Sequence, residues 1–232
     1  MPMPGSRQLM FRGRSMPCAR GNWLVIMVKA PVLGRVKTRL AADVGGVAAV
    51  GFYRSTAAAV VARLAADTRW RTVLAVAPDP AVQTPMFDPA VTRVAQGSGD
   101  LGDRLTTVAR GLPPGRTVII GTDIPGVQRA DIADAFSELG RHDGVLGPAP
   151  DGGYWLVGLR RSPRITTPFA PVRWSSEHAR ADTKRNFTAG QTIGSLRMLA
   201  DVDDGQTYAA VAAWSGRRVL PASDGEDPAH LR

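Results

Sequence analysis

The sequence predicts an α/β fold built on a mainly parallel sheet, and three observations carry that prediction. Short β-branched runs alternate with stretches of helical period along most of the chain. The first run, Trp23–Lys29 (WLVIMVK), is continuously apolar, as a central strand buried on both faces would be. The run Val118–Ile120 is too short for a helix and ends abruptly in the acidic turn GTDIPG, Gly121–Gly126. Ligands of parallel sheets gather at the carboxyl ends of the strands, so Asp123 stands where a ligand is expected.

In chain order, residues 1–22 carry Pro, Gly, Ser and four arginines without an apolar period and read as a disordered leader. Residues 23–214 read as one domain and 215–232 as a disordered tail. After the first strand and the turn Ala30–Thr38, Gly45–Asp67 places Val50, Tyr53, Ala57, Val61 and Leu64 at helical spacing. Strands are predicted at Thr72–Ala77 and Val91–Ala95, on either side of the proline-punctuated loop Pro78–Pro89. A helix follows over Asp100–Leu112, then the central strand and a helix over Arg129–Leu139. Gly144–Gly147 and Tyr154–Leu159 are predicted strands, the second lying next to the first or returning beside the sheet. Helical propensity resumes at Ser176–Arg185, a last short strand is expected at Leu196–Leu199, and a last helix at Gln206–Trp214.

Composition narrows the function classes. A net charge of +9 suits an anionic ligand such as a nucleotide, a nucleic acid or a membrane surface. No apolar run stands out as a membrane span, and the expected location is cytoplasmic. The single cysteine, Cys18, excludes an internal disulfide framework and a cysteine-based zinc site. His142, His178 and His230 lie too far apart in sequence for a metal or triad spacing. A basic binding protein without turnover would interleave aromatics with Lys and Arg, and this chain does not, so nucleic acid is not the expected partner.

Four places carry chemistry. KAPVLGRVKTRL, Lys29–Leu40, gathers Lys29, Arg35, Lys37 and Arg39 around Gly34 at the end of the first strand. Cations and exposed backbone N–H groups on a turn describe a phosphate cradle, or else a solvated surface loop. The loop lacks the glycine directly before Lys-Ser/Thr that a Walker loop requires. QGSGDLGDR, Gln96–Arg104, lets backbone at Gly99 approach a flat ligand beside Asp100 and Arg104; equally, Asp-x-x-Asp is a helix-capping pattern. Asp123 suits a hard divalent cation, Mg²⁺ or Mn²⁺, that also takes phosphate oxygens, or it caps the helix expected to start near Val127. PDGGYWLVG, Pro150–Gly158, places Asp151 before Gly152, Gly153 and Tyr154, which is a hairpin turn or the acceptor side of a site.

These motifs, followed by W-S at Trp174–Ser175 and D-V-D at Asp201–Asp203, resemble in order those of the bacterial family with the DUF2064 domain, grouped with GT-A glycosyltransferases. The matching stretch runs from Val25 to Asp203. The resemblance implies a nucleotide-diphospho-sugar transferase fold, a Rossmann-like three-layer α/β/α sandwich with a mainly parallel mixed sheet, that binds a nucleoside diphosphate with a divalent cation. It implies that Asp123 corresponds to the metal-binding aspartate after the central strand, and that Asp203 is the second metal carboxylate. Two departures are visible. Asp204, Gly205 and Gln206 follow Asp203 where Thr, Pro and Glu are usual in relatives, and Pro150 stands where a Glu often precedes Asp-Gly-Gly.

The expected activity is transfer of a sugar from a nucleoside diphosphate sugar to a small-molecule acceptor. In that reading Asp151 orients or deprotonates the acceptor hydroxyl. Nucleotidyl transfer from a nucleoside triphosphate, with release of pyrophosphate, is the alternative, because the K-x-R-L loop is similar to that of phospholactate guanylyltransferases. Those relatives usually carry Asp-Gly-Thr-Asn where this chain has DGGY, Asp151–Tyr154, and the alternative ranks second.

Overall fold

The computed structural model describes residues 21–84, 89–162 and 167–216. Its elements in order are β1 (Gly21–Lys29), α1 (Thr38–Val44), α2 (Gly46–Ala65), β2 (Arg71–Ala77), β3 (Thr92–Ala95), α3 (Leu101–Gly111), β4 (Gly115–Ile120), α4 (Arg129–Glu138), β5 (Gly144–Pro148), β6 (Tyr154–Arg160), α5 (Ala179–Arg185), β7 (Ile193–Ser195) and α6 (Gly205–Gly216). The strands form one seven-stranded sheet in the order β3-β2-β1-β4-β6-β5-β7. β6 is antiparallel to both β4 and β5, and all other neighbours are parallel. The second of the paired strands, Tyr154–Arg160, therefore returns into the sheet between the central strand and its own predecessor.

Strand alternation explains why both faces are covered. Leu24, Ile26 and Val28 of β1 point to the face packed by Val60, Val61 and Leu64 of α2 and by Ile132, Ala135 and Phe136 of α4. Trp23 and Val25 point to the other face, against Leu105, Val108, Ala109 and Leu112 of α3 together with Phe169 and Phe187. Leu24 and Ile26 are fully buried, and each contributes roughly 1.5–3 kcal/mol relative to exposure. Helices on two faces of a mainly parallel mixed sheet make the three layers that the resemblance implies.

Several elements differ from expectation. β1 begins at Gly21, so Gly21 and Asn22 belong to the sheet, paired with Gly115 and Arg116, and not to the leader. Cys18, the rest of the leader and the tail beyond Gly216 lie outside the described residues. One helix was expected after the basic loop; there are two, because Gly45 at φ +85° breaks the helical path between α1 and α2. α2 is a 20-residue helix of mean hydropathy 1.2, long and apolar enough for a span by length and composition, although no such run was expected. It packs on the sheet as a core helix through Tyr53, Ala57, Val60, Val61 and Leu64.

The last strand is also displaced, to Ile193–Ser195. Leu196 and Leu199 still donate backbone N–H groups to Leu146 O and Pro148 O and pack on the core. The bonded amides are spaced by three residues and the carbonyls by two, which ends the regular ladder there.

Candidate active site

Strand order reverses between β1 and β4: the chain leaves β1 towards β2 and later resumes on β1's other side at β4. Such a switch point opens a crevice at the carboxyl ends of the two strands. A cleft of about 770 Å³ lies there, lined among others by Lys29, Lys37, Arg39, Tyr53, Asp123, Asp151, Tyr154 and Trp174.

The end of β1 is pinned from α2. Tyr53 Oη accepts from the Lys29 backbone N–H at 2.8 Å and donates to Lys29 O at 3.0 Å, and Thr122 Oγ1 donates to Tyr53 Oη at 3.4 Å. One phenol thus ties together the loops after β1 and β4. Burial raises its pKa, which keeps it protonated in that role. The sequence shows Tyr53 only as an apolar-face residue of a helix; nothing in its spacing announces this tie.

Asp123 follows β4 and caps no helix. α4 begins at Arg129, and its first turn is closed by Asp131 Oδ2, which accepts from the Gln128 backbone N–H at 2.7 Å. Asp123 instead meets a segment from far along the chain. After β7 the backbone passes the end of β5 and reaches the central strand's loop, where Val202 N–H donates to Asp123 O at 3.2 Å. Asp131 also helps to steer this passage, since Arg197 Nη2 donates to Asp131 Oδ2 at 2.8 Å.

That crossing brings three carboxylates together. Oxygens of Asp123, Asp201 and Asp203 lie within 4.8 Å of one another. Asp201 was missed by sequence reasoning, although the D-V-D spacing places two carboxylates on one side of an extended segment with a buried Val202 between them. Burial, then repulsion from Asp203 and Asp123, pushes the Asp201 carboxyl up to about 6. Lys37 enters the same cluster: its Nζ donates to Asp203 Oδ1 at 2.5 Å and to Asp123 Oδ2 at 3.1 Å. Burial opposes the charged ammonium, yet the attraction of Asp123 and Asp203 outweighs it and the Lys37 pKa is raised. An all-oxygen donor set of this size fits one Mg²⁺ or Mn²⁺ better than a soft metal.

The other residues singled out in the sequence divide into two groups. Lys29, Arg39, Gly99, Asp100, Arg104, Asp151, Gly153 and Tyr154 line the cleft. Gly34, Arg35 and Gly152 do not line it. Gly34 (φ +72°) and Arg35 form an exposed turn closed by Arg35 N–H on Val32 O. Gly152 is needed for its φ of +83° and because the backbone of Glu177 packs where a side chain would begin.

Several of the cleft residues have local partners. Asp100 caps α3 in a reciprocal box: its Oδ1 accepts from Asp103 N–H at 2.9 Å, and Asp103 Oδ2 accepts from Asp100 N–H at 3.1 Å. Arg104 Nε donates to Gly99 O at 3.1 Å, fixing the glycine turn. Asp151 Oδ1 accepts from Gly153 N–H at 2.9 Å, an Asx turn that leaves the exposed carboxylate over the cleft.

Tyr154 is held from α5. Its hydroxyl accepts from Thr183 Oγ1 at 3.2 Å, burial pushes its pKa above the usual range, and its ring meets Trp174 edge-on at 6.4 Å. Asp182, which accepts from Arg173 Nε at 2.8 Å and from Arg173 Nη2 at 2.9 Å, anchors the segment that carries Trp174.

The sequence profile of a bacterial family matches residues 60–176. The chain belongs to the DUF2064 family, whose members are described as uncharacterized proteins conserved in bacteria. No curated protein sequence matches it significantly. Among solved structures, this DUF2064 protein is similar to a Desulfovibrio desulfuricans G20 protein provisionally assigned as a nucleotide-diphospho-sugar transferase, with a TM-score of 0.76, 25% identity, and coverage of 86% of this chain and 90% of that one. It shares its fold with a 4-diphosphocytidyl-2C-methyl-D-erythritol synthase from Anaerococcus prevotii DSM 20548, at TM-score 0.59 and 9% identity over 85% and 97% of the two chains. It likewise shares the fold of Rv0371c from Mycobacterium tuberculosis H37Rv, solved as a complex with manganese, at TM-score 0.50 and 17% identity over 83% and 98%.

Proposed function

We propose that this DUF2064 protein is a metal-dependent glycosyltransferase that takes a nucleoside diphosphate sugar and passes the sugar to the hydroxyl of a small-molecule acceptor. One observation carries the reading: the cleft at the β1/β4 switch point holds the Asp123, Asp201 and Asp203 cluster and the separate carboxylate of Asp151 in one cavity. A volume of about 770 Å³ accommodates a donor and a small acceptor together. The similarity to the Desulfovibrio protein and the manganese-bound fold relative support it.

Asp123, Asp201 and Asp203 would hold Mg²⁺ or Mn²⁺, which when bound supplies positive charge to a diphosphate leaving group. Lys29 and Arg39 add charge to the same rim of the cleft. Tyr154 and Trp174, in edge-on contact, add an aromatic wall to the cleft that Asp151 also lines. In the transfer step the acceptor oxygen bonds to the anomeric carbon, the bond from that carbon to the phosphate oxygen breaks, and the acceptor proton passes to Asp151. The Gly153 N–H holds Asp151 Oδ1, leaving Oδ2 for the proton.

Nucleotidyl transfer is the second reading. It is favoured by the cations Lys29, Arg39 and Arg104 along one cleft, which suit a triphosphate, and by the fold shared with the diphosphocytidyl synthase. Incubation with Mn²⁺ and a panel of nucleoside diphosphate sugars or nucleoside triphosphates, each with small hydroxylated and phosphorylated acceptors, separates the two. Release of nucleoside diphosphate is expected. Release of pyrophosphate instead would establish the second reading, and the absence of any nucleotide-induced thermal shift in either panel would remove both.

A further inference from the structure

The carboxylate cluster already contains a cation supplied by the chain. Lys37 reaches Asp123 across 86 positions of sequence and Asp203 across 166. Its side chain is only 6% exposed, whereas those of Asp123 and Asp203 are 35% and 46% exposed. The ammonium is thus largely shielded from solvent where it meets the carboxylates, in a cleft that Lys37, Asp123 and Asp203 all line. A lysine serving a bound phosphate keeps its ammonium in the open, as a mobile point charge on a flexible stem. Lys37 is held otherwise. Its backbone is left-handed (φ 48°, ψ 46°), an uncommon state for a residue with a side chain, and α1 starts immediately after it, so both ends of its stem are fixed.

Charge defines what this arrangement does. Three carboxylates and one ammonium leave the cluster at −2, which one divalent cation neutralises. We infer that Lys37 is the resident counter-cation of the cluster, a positioning residue that offsets one of its three negative charges and so sets a net charge matched to one divalent cation that carries an anionic diphosphate. The inference rests on the metal-dependent reading above. Without the ammonium, the cluster stands at −3 and stays at −1 after taking up a divalent cation. The free cation then binds more tightly, and a diphosphate approaching the loaded site meets a negative charge.

Two effects of opposite sign follow from removing one side chain. A lysine that is simply a phosphate ligand would lose diphosphate affinity and leave binding of the free cation unchanged. A lysine needed only for folding would lose both.

The test is calorimetric titration of Mn²⁺ alone, and of inorganic pyrophosphate in saturating Mn²⁺, into the full chain and its Lys37→Met and Lys37→Gln variants. The glutamine variant keeps a neutral polar donor in place of the ammonium and decides the matter if the methionine variant does not fold. Mn²⁺ affinity is expected to rise on the order of tenfold, and pyrophosphate affinity to fall on the order of tenfold or more. Unchanged Mn²⁺ affinity in a folded variant overturns the counter-cation role while leaving the metal-dependent reading in place. Weaker Mn²⁺ binding in a folded variant overturns it too, since the ammonium would then serve only to hold the carboxylates in position. No Mn²⁺ binding by wild type or by either variant overturns both this inference and the metal-dependent reading.

Discussion

Two sets of acids share the cleft and differ in how their charge is met. Asp100 and Asp151 accept hydrogen bonds from backbone N–H groups three and two residues away, in turns that complete themselves. Asp123 and Asp203 meet a cation of the chain in Lys37, 86 positions from one and 166 from the other, and Asp201 stands beside them with its carboxyl pushed up to about 6. A locally satisfied acid stabilises the turn it sits in. An acidic cluster assembled over long range and left with excess negative charge costs stability, which marks it as a candidate functional site. Asp151 straddles the two sets, because its turn uses one oxygen and exposes the carboxylate to the cleft.

The sharpest way to break this comparison is Asp123→Asn. The amide keeps the shape and removes charge, so metal-dependent nucleotide binding is expected to disappear, with the thermal unfolding midpoint near that of wild type. Calorimetry with a nucleoside diphosphate in Mn²⁺ checks it; retained, metal-dependent binding would move Asp123 into the locally structural set. Next in size is Asp151→Asn, whose Oδ1 can still accept from Gly153 N–H. Turnover should fall on the order of 10²–10⁴-fold while nucleotide affinity stays nearly unchanged. Full activity would return Asp151 to the role of a turn residue, and a loss of nucleotide affinity would make it a donor ligand.

The basic loop offers an internal control. Arg39 lines the cleft and Arg35 does not, although both belong to one run of sequence. Arg39→Ala should weaken pyrophosphate binding on the order of tenfold, and Arg35→Ala by less than about twofold, both read by calorimetry. Equal losses would mean that the whole loop closes on the ligand. The smallest effect on the site is expected from Asp100→Ala. Loss of the reciprocal cap should destabilise the fold by about 1 kcal/mol in urea titration, with nucleotide affinity within about twofold of wild type. A large loss of affinity at unchanged stability would place Asp100 among the ligand-binding residues.

Much of this was readable in order along the chain. The continuous run Trp23–Lys29, the helical spacing from Tyr53 to Leu64 and the short strand before Asp123 each report burial through local period, and period is a property of neighbouring residues. The capping alternative for Asp100 was readable for the same reason, since Asp103, its partner in both bonds, lies within one turn of helix. What the linear pattern determined was therefore the alternation of strands and helices and the residue types gathered on the loops between them. Tertiary structure alone decided which of those loops meet. It set Lys37 against Asp123 and Asp203, left Arg35 and Gly34 outside the lining of the cleft, moved the last strand to Ile193–Ser195, and carried Asp201 and Asp203 over to the central strand. Those outcomes depend on strand order and on contacts between residues far apart in sequence, up to 166 positions for Lys37 and Asp203, where side-chain period carries no information and packing against the sheet makes the choice.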